Sequence, residues 1–137
     1  MDKETLIPGA ALAPYTFRQY HADTVAKTAS YPAIGDNLVY PALGAAGEAG
    51  ELAEKVKKLW RNFGMVGMMH GNSVMLTEPK VAELREGILK EAGDVLWYLD
   101  AIAFEAGTTL EEIARMNARK VQDRVARGVV KSEGDNR

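Results

Sequence analysis

The sequence has no cysteine and only two histidines among its 137 residues. The first absence excludes disulfides, thiolate zinc sites and thiol nucleophiles, and the second excludes a histidine-rich metal centre. Basic residues show no excess either, because 17 lysines and arginines stand against 19 acidic residues, for a formal net charge of −2. We therefore expect neither a nucleic-acid partner nor an anionic membrane surface.

Long apolar runs and a signal-peptide pattern are also missing, so we expect a soluble, cytoplasmic protein with no membrane partner. The length suits one domain with a core of its own. Within it we predict a loose arm at 1–13, a domain at 14–128 and a short tail at 129–137.

Apolar residues recur at helical rather than strand spacing, which predicts an all-α fold of four helices packed as a bundle. The first helix should begin at Pro14 and stop before Pro32, and the second should run from Leu38 to Asn62. The third should run from about Pro79 to Ala106. A capping box at Thr108 and Thr109 should start the fourth, which ends near Arg127.

Two acidic pairs dominate the chemistry of the chain. Glu48 and Glu51 lie on the second predicted helix, and Glu91 and Asp94 lie on the third. Residues three apart on a helix are about 60° apart, so each pair presents two carboxylates on one face. Like charges held together raise each other's pKa and destabilise the helix unless a cation lies between them, which suggests a single divalent-metal site shared by both helices.

Either pair alone would more simply be a solvated helix face. Small and apolar residues surround both pairs, however, and buried acids need partners. A di-iron bundle site needs the histidine of Glu-x-x-His, which neither pair has. Ligation by oxygen alone favours Mg²⁺, with Mn²⁺ as a substitute, and Mg²⁺ usually works through the phosphates of a substrate.

Further polar residues follow at helical spacing and are candidates for phosphate or substrate contact: Lys55, Lys58, Tyr98, Asn117, Lys120 and Arg124. For each there is a plainer interpretation. Lys55 could form an ordinary i,i+4 pair with Glu51, the three residues near the C-terminus could be a solvated stripe, and Tyr98 could belong to the core. His21 is either a half-buried core residue or a base contact, and the sequence leaves both open.

Glycines interrupt the second predicted helix at positions 44, 47 and 50. Gly47 is close in angle to the acidic face, where a missing side chain would allow a neighbouring helix or a phosphate to approach. The segment 63–77 is rich in glycine and methionine, and it is either a plain connection or a lid or partner-contact segment.

The motifs GEAGELAEKVKK, KEAGDVLWYL and NARKVQDRVARG, with a terminal GDNR, resemble the MazG-like nucleotide pyrophosphohydrolases of the all-α NTP pyrophosphatase superfamily. The resemblance implies Mg²⁺ on Glu48, Glu51, Glu91 and Asp94. We expect Glu48 or Glu51 to act as the general base. The resemblance also implies substrate contacts from Tyr98, Asn117, Lys120 and Arg124, together with Lys55 and Lys58. A homodimer or homotetramer is implied as well, with an active site completed across subunits.

The chain departs from that family in two respects. Many members have an acid directly before the first motif glutamate, where this chain has Gly47, and the spacer between the acidic motifs is longer than in compact members. The predicted function is Mg²⁺-dependent cleavage of a deoxy or non-canonical nucleoside triphosphate between its α and β phosphates. The alternatives are an all-α dUTP or dUDP hydrolase and a non-catalytic helical module that binds nucleotide or protein.

Overall fold

The computed structural model describes residues 13–64 and 79–128. The predicted arm, the predicted lid or contact segment and the predicted tail lie almost wholly outside these residues. Within them all regular structure is helical, in agreement with the predicted fold class. The helices are α1 (Phe17–Asp23), α2 (Val25–Thr28), α3 (Val39–Phe63), α4 (Pro79–Glu105) and α5 (Leu110–Ala126).

The first predicted helix differs from the observed structure at its start and in its middle. It begins three residues after Pro14, because Thr16 and Gln19 form a capping box that fixes the start at Phe17. At Thr24 the backbone leaves the helical region, with φ −116° and ψ −94°, and its hydroxyl donates to the Tyr20 carbonyl at 2.6 Å. The chain therefore forms two short helices where the apolar pattern predicts one.

The other helix ends that lie inside the described ranges, away from the gap before Pro79, agree with the sequence signals to within a residue or two. Gly64, Gly107 and Gly128 follow the three long helices at positive φ, the conformation that glycine adopts without a Cβ penalty. Thr109 caps α5 by accepting the Glu112 N–H at 3.2 Å. These stops set the lengths of the two helices that carry the acidic pairs.

The core lies mainly between α3 and α4, which pack along one another, while α5 packs against α4 and α1. Buried side chains of these two helices include Pro41 and Leu59 of α3 and Val81, Ala101 and Ala103 of α4. None of the helices in the described ranges is long and apolar enough to cross a bilayer.

A connection of ten residues joins α2 to α3, and the last residue of α4 fixes it. The Glu105 carboxylate accepts the Tyr31 hydroxyl at 2.7 Å, the Gly35 N–H at 3.0 Å and the Asn37 N–H at 2.8 Å. The backbone amide of Asn37, followed by that of Gly35, lowers the pKa of Glu105. The start of α3 is thereby held against the end of α4.

Candidate functional site

Three of the four acids in the two pairs converge between α3 and α4. Carboxylate oxygens of Glu48, Glu91 and Asp94 all lie within 4.8 Å of one another. Glu51 lies almost one turn after Glu48 and is exposed. Three converging carboxylates from two helices are the donor set that a hard divalent cation prefers.

Four carboxylates of like charge are crowded together here. We call them the acidic cluster: Glu48, Glu51, Glu91 and Asp94. Burial raises the pKa of Glu48, and the charges of Glu51, Asp94 and Glu91 raise it further. The Glu91 side chain is only 12% exposed. An added cation would relieve this repulsion, so the cluster is electrostatically suited to a metal.

Lys55 contacts the acidic cluster from the α3 side. Its Nζ lies 2.9 Å from Glu91 Oε1, so it pairs across the two helices rather than with Glu51 along its own. The hydrogen bond to Glu91 raises the pKa of Lys55 and keeps it charged. Gly87 makes room for its stem, because a Cβ there would come within 3.1 Å of Lys55 Cδ.

Lys58 faces a different partner. Its ammonium lies 3.5 Å from Glu54 Oε1, and Lys57 contacts the same carboxylate. The described contacts therefore place Lys55, and not Lys58, beside the acids.

Tyr98 packs against α3 at the edge of the acidic cluster. A Cβ on Gly44 would lie 2.2–2.5 Å from carbons of the Tyr98 ring, so the ring occupies the space that this glycine leaves. Burial raises the pKa of Tyr98, and Tyr40, Glu48 and Asp94 contribute. The hydroxyl therefore stays protonated next to the acids.

The close approach of the neighbouring helix thus occurs at Gly44, whereas the sequence predicts it at Gly47. Among the described residues no atom lies within 4 Å of a Cβ built on Gly47 or on Gly50. Gly47 therefore leaves open space on the acidic face of α3. The signal for Gly44 was its position, one turn before Glu48 on the side that faces α4.

The polar stripe of Asn117, Lys120 and Arg124 is part of α5, and the main contacts of α5 are with α4 and α1. Glu111, Ala114, Arg115 and Ala118 line a cleft with the start of α1. Asn117, Lys120 and Arg124 are centred roughly 140° away around α5, given 3.6 residues per turn. Within one chain the stripe therefore faces away from α1, and the joining of all predicted substrate residues in one site stays a prediction.

His21 has a partner that sequence reasoning missed. Its Nδ1 lies 2.9 Å from Asp100 Oδ2, and Asp100 is 2% exposed. Asp100 lies about 180° around α4 from Glu91, so this pair is on the opposite face of the helix from the acidic cluster. It ties α1 to α4, in agreement with the half-buried interpretation of His21.

The chain is similar to known proteins over most of its length. The MazG nucleotide pyrophosphohydrolase domain matches residues 42–128, which include all four acids and α5. The Gene 37 protein of Mycobacterium phage L5 is 36% identical over 115 residues, covering 80% of this chain and 90% of that protein. No solved structure matches the chain. Since the domain match spans more than half of the sequence, the chain belongs to the MazG nucleotide pyrophosphohydrolase family.

Proposed function

We propose that this protein is a Mg²⁺-dependent pyrophosphohydrolase that cleaves a nucleoside triphosphate between its α and β phosphates. The observation that carries the proposal is the convergence of Glu48, Glu91 and Asp94 within 4.8 Å between two helices. Membership of the family supports the nucleotide substrate. We propose deoxy or non-canonical nucleotides as the substrates.

The residues fit a hard cation. Three carboxylate oxygens at this separation can coordinate one ion directly, and Mg²⁺ keeps waters and substrate phosphates in its other positions. Burial and crowding already raise the pKa of Glu48, so cation binding replaces a repulsion with an attraction. Mn²⁺, which accepts the same oxygen ligands, should substitute.

In this proposal Glu48, Glu91 and Asp94 hold the cation, with Glu51 completing the acidic face. Bound there, Mg²⁺ supplies charge neutralisation of the phosphate oxygens and activation of water. Glu48 or Glu51 accepts the proton of the attacking water. Glu51 is the more accessible of the two, since it is exposed and lies outside the group of three.

Two other side chains have direct roles in the proposal. Lys55, charged and 2.9 Å from Glu91, can turn to a phosphate oxygen once a cation neutralises that carboxylate. The Tyr98 hydroxyl, which stays protonated, can donate to the sugar or phosphate. Lys58 can contribute only by leaving Glu54.

We also propose a homodimer or homotetramer. On α5, Met116, Val121 and Val125 are exposed, as are Val39 and Leu43 of α3. Apolar side chains in water are surface that association with another copy can bury. A second copy would cover it, and could bring the stripe of Asn117, Lys120 and Arg124 to the acids of its partner. Light scattering during size-exclusion chromatography measures the assembly, and a monomer at micromolar concentration would contradict it.

The test of function is turnover of a panel of dNTPs, NTPs, dUTP and dUDP with Mg²⁺. Wild-type protein should consume at least one triphosphate only when the metal is present. Glu91→Gln and Asp94→Asn should each reduce the rate by more than a hundredfold, since each removes a metal ligand. Glu86→Gln is the matched control, because Glu86 is on α4 but pairs with Lys90 in solvent.

The outcome also separates the alternatives. Turnover confined to dUTP and dUDP would identify the all-α dUTP or dUDP hydrolase instead. Binding of triphosphates without turnover would identify a non-catalytic nucleotide-binding module.

A further inference from the structure

An aromatic ring lies on α3 ahead of the acidic cluster, and the proposed catalytic roles do not use it. Tyr40 stacks on Tyr31 with ring centroids 4.8 Å apart and planes at 12°. Tyr31 is buried, at 7% exposure, whereas Tyr40 is 44% exposed. The stack therefore covers one side of the Tyr40 ring with a buried partner and leaves much of the residue in contact with solvent.

Hydrogen bonds hold both tyrosines of the stack, Tyr31 through its hydroxyl and Tyr40 through its backbone N–H. Tyr31 donates its hydroxyl to Glu105 Oε1 at 2.7 Å, which anchors it to the end of α4. Asn37, whose own N–H is bound by Glu105 at 2.8 Å, accepts the Tyr40 N–H through its Oδ1 at 3.1 Å. Tyr40 is thus an exposed aromatic whose backbone and stacking partner are both fixed, so a ligand stacking on it would meet a preorganised surface.

Tyr40 lies on the same side of α3 as part of the acidic cluster. Gly47 and Glu51 follow at 7 and 11 residues, which returns each to within about 20° of Tyr40 around α3. Glu48 lies eight residues on, about 12 Å along the helix axis. Between the ring and the acids, the position of a Gly47 Cβ is open among the described residues. Tyr40 also contributes to the raised pKa of Tyr98, so the two phenols are near one another.

We propose that Tyr40 is the stacking platform for the nucleobase, and that the open strip at Gly47 receives the sugar and α-phosphate between that platform and the acidic cluster. The assignment rests on the proposed nucleotide substrate. The assignment explains the glycine at position 47, because a side chain there would occupy the space between the base and the phosphates. It also makes Tyr40 a ligand contact rather than a core residue.

Stacking on a tyrosine face does not distinguish bases by their hydrogen-bonding edges, because every base has a π-face. Tyr40 should therefore provide affinity for a nucleotide over a bare polyphosphate, and contribute little to choice among bases.

The experiment compares two probes on the whole 137-residue chain in the presence of Mg²⁺, by isothermal titration calorimetry. One is a dNTP whose α–β bridging oxygen is replaced by CH₂, so that it is not cleaved, and the other is inorganic tripolyphosphate, which has no base. Tyr40→Ala should weaken the analogue by about fivefold to a hundredfold, the usual range for loss of one base–aromatic stack. Binding of tripolyphosphate should stay within twofold of wild type.

Three further variants sharpen the result. Tyr40→Phe and Tyr40→Trp keep a ring and should retain affinity for the analogue within about threefold. Tyr15→Ala is the matched control, because Tyr15 is an exposed tyrosine on the N-terminal side of α1, hydrogen-bonded to Asp23. It should bind both probes like wild type.

Failures of the two proposals are distinguishable. If wild-type protein binds neither probe, the nucleotide function itself is wrong. If wild type binds both, and Tyr40→Ala weakens them equally or leaves both unchanged, the function stands and the platform is wrong. Loss of analogue affinity in Tyr40→Phe would also overturn the platform, because it would trace the effect to the hydroxyl.

Discussion

The substitution Gly44→Ala adds a single methyl group at the contact between α3 and α4, and so tests that contact sharply. In a helix interior, replacing glycine with alanine normally stabilises by about 1 kcal/mol. At Gly44 the new Cβ would lie 2.2–2.5 Å from carbons of the Tyr98 ring, which no rotation of the methyl relieves. Overpacking of this kind typically costs about 1–3 kcal/mol, because the ring must leave its place or the helices must separate.

The expected result for Gly44→Ala is a net loss of up to about 2 kcal/mol in the free energy of unfolding, after the gain in helix propensity is subtracted. Gly50→Ala is the control on the same helix, since no described atom lies within 4 Å of its Cβ. It should gain up to about 1 kcal/mol. Urea unfolding followed by circular dichroism at 222 nm measures both.

A double variant separates the clash from any other effect of the substitution. Tyr98→Ala removes the ring, so Gly44→Ala introduced into that background should lose its penalty and stabilise like Gly50→Ala. If Gly44→Ala is at least as stable as wild type, or if its effect is the same with and without the Tyr98 ring, then the ring does not occupy the space above Gly44 and the site geometry is wrong.

Three other side chains give predictions about stability. His21→Ala should cost about 1–3 kcal/mol, because Asp100 stays buried and loses its hydrogen-bond partner. Adding Asp100→Leu should recover most of this, and no recovery would show that an unpaired, buried Asp100 is not the cause of the loss. Burial, followed by Glu105, raises the pKa of Tyr31 from 10.0 to about 12. The protonated Tyr31 phenol therefore contributes its full share to the free energy of unfolding below pH 10. Between pH 10 and 12 the phenol ionises in the unfolded chain first, and the protein loses about 2–3 kcal/mol of stability. Tyr31→Phe should remove this alkaline loss in unfolding titrations, and an unchanged alkaline limb would refute the assignment. The pKa of Glu105 is lowered from its ordinary value of 4.5, so its carboxylate stabilises the fold at pH values above 4.5. This stabilisation is lost as the pH falls through the lowered pKa. Glu105→Gln should flatten the acid limb of the same titration, and an acid limb as steep as that of wild type would count against it.

The sequence predicts the long helices and the acidic pairs well, because both depend on local signals. Glycines after the helix ends and Thr109 at the start of α5 mark boundaries through backbone chemistry that is readable within a few residues. The spacing of three between acids fixes a shared face wherever the helix lies. The convergence of Glu48 with Glu91 and Asp94 then follows from packing α3 on α4.

Contacts between distant residues could not be predicted in this way. His21 and Asp100 are 79 positions apart, and Tyr31 and Glu105 are 74 apart, so neither spacing nor propensity relates them. The split of the first predicted helix at Thr24 depends on a side chain that competes with the backbone, which the apolar pattern does not encode. Gly44 was visible as a glycine, but its use became visible only with the Tyr98 ring in place.

The identity of the products tests the central claim most directly. Phosphorus NMR of a dNTP incubated with the protein and Mg²⁺ resolves pyrophosphate from orthophosphate in one spectrum. Cleavage between the α and β phosphates predicts equal amounts of nucleoside monophosphate and pyrophosphate from the start, and neither product with Asp94→Asn. Nucleoside diphosphate and orthophosphate as the first products would contradict it, because they would place the broken bond between the β and γ phosphates.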